Sequence, residues 1–129
     1  MYDHQATKDK AGDLQNRVLA YLEERHVGRN RAIKARVLAA RLGERERVVR
    51  AAISQARKDG ALILSAISPP YGYFVADNVQ EWREFRNSNL RPRALDILET
   101  DKAMAEAAQR RFGPAVQLIL FPGQMEIVA

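Results

Sequence analysis

Cysteine is absent from the 129 residues, and histidine occurs only at His4 and His26. Without thiolates there is neither a disulfide framework nor a cysteine-built zinc site. The two histidines stand far apart, and neither has the carboxylate or imidazole spacing of a metal site. His26 therefore reads as the end of a helix, where a cation complements the terminal carbonyls. Long apolar runs are missing too: residues 61–64 and 118–121 fall far short of the roughly 20 that a membrane-spanning helix needs. The opening Met1-Tyr2-Asp3-His4 carries neither the basic nor the apolar region of an export signal, so the expectation is a cytoplasmic chain with no membrane partner. Nor is there a G-x-x-x-x-G-K-[ST] loop, a G-x-G-x-x-G turn or a G-x-S-x-G elbow. No catalytic residue, metal or cofactor is expected, and the chain does not read as an enzyme.

What is present is positive charge, concentrated in one stretch. Residues 29–58 hold ten cations (Arg29, Arg31, Lys34, Arg36, Arg41, Arg45, Arg47, Arg50, Arg57 and Lys58) against two acids, Glu44 and Glu46. The local charge is +8 and that of the whole chain +5, which leaves −3 for everything else. Such clustering attracts a polyanion and makes the association salt-dependent. The competing reading is a solvated helical face whose arginines pair with Glu44, Glu46 and Asp59.

The length suits one compact domain with a helical extension. Residues 1–12 are polar and aperiodic and read as a flexible arm. Asp13 then offers an N-cap, Leu14, Val18, Tyr21 and Leu22 line one helical face, and Gly28 is a stop. Ala32-Ile33 has room for a very short strand. Residues 34–42 predict a second helix with Val37 or Leu38 and Leu42 inward, ended by Gly43. A third helix starts within 44–47 and runs to Asp59, with Val49, Ile53 and Ala56 on its apolar side and Gly60 beyond it. Two helices separated by a glycine and a few residues form a helix-turn-helix pattern.

Residues 61–67 are short, apolar and β-rich, Ser68-Pro69-Pro70-Tyr71-Gly72 is a turn, and Tyr73-Phe74-Val75-Ala76 returns. The fold class expected is mainly α with a small β-hairpin: a winged helix-turn-helix over 13–77, a helical extension over 78–113 and a tail over 114–129. In the extension, Asp77 is the expected cap of a helix holding Val79, Trp82 and Phe85, and Pro92 is expected to interrupt or kink it. Leu95, Ile97, Leu98 and Met104 follow, serving either a homodimer or a brace on the core.

The runs Ala35-Arg36-Val37-Leu38-Ala39-Ala40-Arg41-Leu42-Gly43, Val49-Arg50-Ala51-Ala52-Ile53-Ser54-Gln55-Ala56-Arg57-Lys58-Asp59-Gly60 and Tyr71-Gly72-Tyr73-Phe74-Val75 carry a resemblance. Over about 14–77 the chain resembles winged helix domains of bacterial regulators, such as the N-terminal domain of the biotin repressor, and small phage and prophage winged helix proteins. That resemblance implies double-stranded DNA as partner, with a recognition helix in the major groove and the hairpin on backbone or minor groove. At the turn, Glu44-Arg45-Glu46-Arg47 replaces the usual apolar residue followed by Ser or Thr. With Val49, Ile53 and Ala56 inward, Arg47, Arg50, Ser54 and Arg57 fall toward the other face, and Arg45 sits near the helix start. Arg36 and Arg41 suit phosphate. Tyr71 and Tyr73 serve either DNA contact or a cross-strand pair that steadies the hairpin, while Phe74 and Val75 are expected to pack on the third helix.

Near the C-terminus, Gln117-Leu118-Ile119-Leu120-Phe121 resembles the Q-L-S/D-L-F peptide by which bacterial replication and repair proteins dock on the sliding clamp. Physically, Gln117 would hydrogen-bond while Leu118, Leu120 and Phe121 fill an apolar groove. The alternative is an apolar strand closing on the domain. The functions open at this level are a transcriptional regulator of phage or mobile-element type, a replication accessory protein that recruits the clamp, and a winged-helix adaptor for other proteins.

Overall fold

Leu14, Val18 and Leu22 recur every four residues, which is enough to give a helix one buried stripe. The computed structural model describes residues 4–116, and in it α1 (His4–Arg25) turns that stripe inward, with Val18 and Leu22 fully buried. The helix is already formed at His4, so Asp13 lies inside it and caps nothing. Residues 4–12 contain no proline, and Gly12 alone costs a helix about 1 kcal/mol. His26 follows the helix: its ring stacks on Tyr21 with centroids 5.5 Å apart, and Nδ1–H donates to the Arg31 carbonyl at 2.7 Å.

After a 3-10 turn (Arg29–Arg31) come α2 (Ala35–Leu42) and α3 (Glu46–Lys58). Gly43 ends α2 in the left-handed conformation (φ 68°), its N–H reaching the carbonyls of Ala39 and Ala40 while Glu44 N–H bonds Ala39 at 3.0 Å. A β-carbon would make that backbone costly, which is why glycine stands there. Leu38 and Ala39 from α2 meet Val49, Ala52, Ile53 and Ala56 from α3 and the stripe of α1, with Ile33 and Ile63 closing the cluster. Of the two candidates for the inner face of α2, Leu38 is fully buried and Val37 only partly.

The hairpin is β1 (Ile63–Ala66) and β2 (Gly72–Val75), antiparallel, pairing Ile63 with Val75, Leu64 with Phe74 and Ser65 with Tyr73. Strand alternation splits its side chains between two faces. Ile63, Tyr73 and Val75 join the three-helix core. Leu64 and Phe74 point the other way, into a second cluster with Phe85 and Trp82. Val75 thus packs on the helical core as expected, whereas Phe74 is on the opposite side of the sheet.

Two further segments hold β2. Ile33 exchanges a pair of hydrogen bonds with Tyr73 (2.9 and 2.7 Å), so the short strand anticipated at Ala32-Ile33 is a single bridge. On the next stretch, Gly28 N–H bonds the Val75 carbonyl at 2.9 Å and Val75 N–H bonds His26 at 2.8 Å. Gly72 makes the first contact possible. Its φ is +127°, and a β-carbon there would fall on the Ile33 carbonyl group and lie 2.6 Å from Lys34 N.

Asn78, not Asp77, caps α4 (Val79–Phe85): its side chain accepts from Glu81 N–H at 2.9 Å, and Glu81 accepts in return from Asp77 N–H at 2.8 Å. The other Glu81 oxygen takes Arg29 N–H at 2.8 Å and ties the helix start to the loop after α1. The described residues up to Arg86 form one compact unit, and a second begins at Asn87. The boundary expected at Asp77 falls within the first unit, because Phe85 covers Leu64 and Phe74. A π-helical segment (Arg86–Leu90) precedes α5 (Arg91–Phe112), whose first turn contains Pro92. The wider i→i+5 turn accommodates a residue that offers no N–H, so the irregularity sits just upstream of the proline. No residue of α5 is buried; Leu95, Ile97, Leu98, Met104 and Phe112 are exposed. Among the described residues no helix is long and apolar enough to cross a membrane.

Candidate nucleic-acid interface

With Val49, Ala52, Ile53 and Ala56 fixed inward, the 100° step of the helix distributes the remaining α3 side chains over two zones. Arg47, Ala51, Ser54 and Lys58 face away from the core and are exposed, whereas Glu46, Arg50 and Arg57 are rotated toward the hairpin. The expected ridge of Arg47, Arg50, Ser54 and Arg57 is therefore divided.

Arg57 belongs to the fold. Its Nε donates to the Ile63 carbonyl at 2.6 Å and Nη2 to Ser65 Oγ at 2.8 Å, while the guanidinium lies 5.2 Å from the Phe85 ring centroid and 5.6 Å from that of Tyr73. It locks β1 onto α3. Arg41 is turned toward α1, with Nη1 3.4 Å from the Tyr21 hydroxyl.

Arg50 bridges helix and hairpin. Nε and Nη2 both donate to Glu46 Oε1, at 3.1 and 2.7 Å, and Nη1 donates to the Tyr73 hydroxyl at 3.2 Å. The Glu46 hydrogen bond, followed by the nearby phenol, raises the guanidinium's pKa above its ordinary value. This is a charge-assisted anchor at a half-exposed site, worth well under 1 kcal/mol in stability. Tyr73 lies opposite Ser65, so the alternative of an aromatic pair across the strands does not describe it.

Lys34, Arg36, Glu46, Arg50, Tyr71 and Tyr73 surround an open groove of about 360 Å3 between the start of α2, the start of α3 and the hairpin. The structure thus brings together four of the residues singled out by sequence: Arg36, Arg50, Tyr71 and Tyr73. Arg45 occupies the N-cap position of α3 without a side-chain capping bond, and Arg47 and Ser54 lie on the adjoining outward face. Lys34 and Lys58 were not singled out individually, although both lay within the basic stretch. Only the three-dimensional position of Lys34 at the groove distinguishes it from other cations.

The acids are placed so that most of this charge stays uncompensated. Glu44 pairs with Arg17 of α1 at 3.7 Å, and Asp59 accepts from Gln15 at 2.7 Å and Gln55 at 3.2 Å. Among the described residues, Lys34, Arg36, Arg45, Arg47 and Lys58 have no ion-pair partner. Of the pairings proposed for Glu44, Glu46 and Asp59 with the basic helices, that of Glu46 with Arg50 forms, at 2.7 Å. Gln117, Leu118, Leu120 and Phe121 lie outside the described residues. No family model, curated protein or solved structure matches the chain.

Proposed function

We propose that this chain binds duplex DNA as a winged helix-turn-helix protein, in the manner of a transcriptional regulator. In this reading α3 enters the major groove with Arg47 and Ser54 foremost, the hairpin is the wing, and Lys34 and Arg36 take backbone phosphate from the groove beside it. The observation that carries the reading is the set of exposed cations on α2 and α3 left without acid partners among the described residues, next to a hairpin packed on both faces. Mutual repulsion among such cations costs stability, and a polyanion relieves it while its counterions are released.

Anisotropy of a labelled duplex, titrated at several salt concentrations, tests this. The logarithm of the binding constant should fall linearly with log[salt], with a slope near −0.9 for each phosphate neutralised. Arg47→Glu should weaken binding by at least about 1 kcal/mol. Arg47 is a sharper probe than Arg50, whose charge is already engaged by Glu46. Affinity that is indifferent to both salt and Arg47→Glu would move the assignment to a protein-binding adaptor.

A further inference from the structure

A polyanion-binding surface has to accommodate Glu46, a carboxylate set among its cations at the first helical residue of α3. Both Arg50 donors converge on the same oxygen, Oε1. Oε2 accepts no hydrogen bond from any described residue, and the side chain remains 43% exposed. The charge is thus offset on one oxygen while the other stays available, and the pair is steadied from behind by the Arg50 bond to Tyr73, whose backbone is held by Ile33.

We propose that Glu46 is a specificity-determining residue that accepts, through Oε2, a hydrogen bond from the N4 amino group of a cytosine in the major groove. The inference rests on the duplex-DNA reading above. An ionised carboxylate is acceptor-only, so it needs a base edge that donates without a neighbouring acceptor. Guanine offers two acceptors there, thymine an acceptor and a methyl, and adenine a donor beside the N7 acceptor; cytosine alone offers the amino donor. Arg50, with three of its five N–H donors engaged by Glu46 and Tyr73, is a positioning residue in this arrangement. Position favours the same role, since recognition helices touch bases mainly through their N-terminal residues.

The test is selection of bound duplexes from a random library at physiological salt by the wild-type chain, Glu46→Ala and Glu46→Gln, with circular dichroism confirming that both variants fold. The wild type should fix cytosine at one position. Both variants should lose about tenfold in discrimination there, and Glu46→Ala should bind non-cognate duplex more tightly because a charge that repels phosphate has gone. Retention of the cytosine preference in the variants overturns the proposal. So does salt-dependent wild-type binding with no cytosine-fixed position, an outcome that leaves the duplex-DNA reading standing. Absence of any duplex binding by the wild type removes both.

Discussion

Gly72→Ala should separate the hairpin from the loop before α2. The new methyl would occupy the space of the Ile33 carbonyl and approach Lys34 N to 2.6 Å, and both neighbours are backbone, which cannot rotate aside. Relief requires β2 to move off Ile33, breaking the reciprocal bonds of 2.9 and 2.7 Å between Ile33 and Tyr73. Each bond is worth about 1 kcal/mol net, and a non-glycine residue at φ +127° adds strain of similar size or more, for a loss of about 3 to 4 kcal/mol. That is a large part of the 5–15 kcal/mol typical of small domains. Thermal unfolding followed by circular dichroism should show Tm lowered by roughly 15 to 25 °C. A melting point within about 3 °C of wild type would refute the claim that Gly72 is there for close backbone approach.

Arg57→Lys should cost about 1 to 3 kcal/mol in urea unfolding, since an ammonium cannot reproduce the two directed bonds to Ile63 and Ser65 or the contact with the Phe85 ring. Its effect on duplex affinity should be smaller than that of Arg47→Glu; the reverse order would show that Arg57 reaches DNA. Leu38→Ala, at the fully buried junction of the three helices, should cost about 2 to 5 kcal/mol by the same measurement, and a loss below about 1 kcal/mol would contradict that packing.

The three core helices were legible because their signals are local. Val49, Ile53 and Ala56 repeat at helical spacing, Gly43 stops α2 where the chain must turn left-handed, and Ser68-Pro69-Pro70-Tyr71-Gly72 separates two β-rich runs. Features that depend on partners distant in sequence were not legible. Arg57 and Arg47 carry the same charge on one helix, and it is the approach of Ile63, Ser65 and the Phe85 ring that removes Arg57 from the exposed surface. Phe74 reads as core from its alternation, but which core it joins is decided by Phe85, beyond the next turn. The N-terminal extent of α1 was missed because polar residues without periodicity resemble an arm, although nothing in them opposes a helix. Within the candidate site, Arg36, Arg50, Tyr71 and Tyr73 were named from sequence, whereas the Glu46–Arg50–Tyr73 chain depends on side-chain geometry that no spacing rule encodes.

Because the hairpin is sandwiched, with Ile63 and Val75 against one cluster and Leu64 and Phe74 against another, its outer cover is supplied by residues that come after it in the chain. A fragment trimmed to end at Asp77 would keep every helix beneath the sheet yet strip Phe85 and Trp82 from above it. The bared Leu64 and Phe74 would then form a sticky plane beside an unguarded strand edge, the circumstance in which hairpins from separate molecules zip together. Solubility of such a piece, more than its helix content, is where the missing segment would be noticed first.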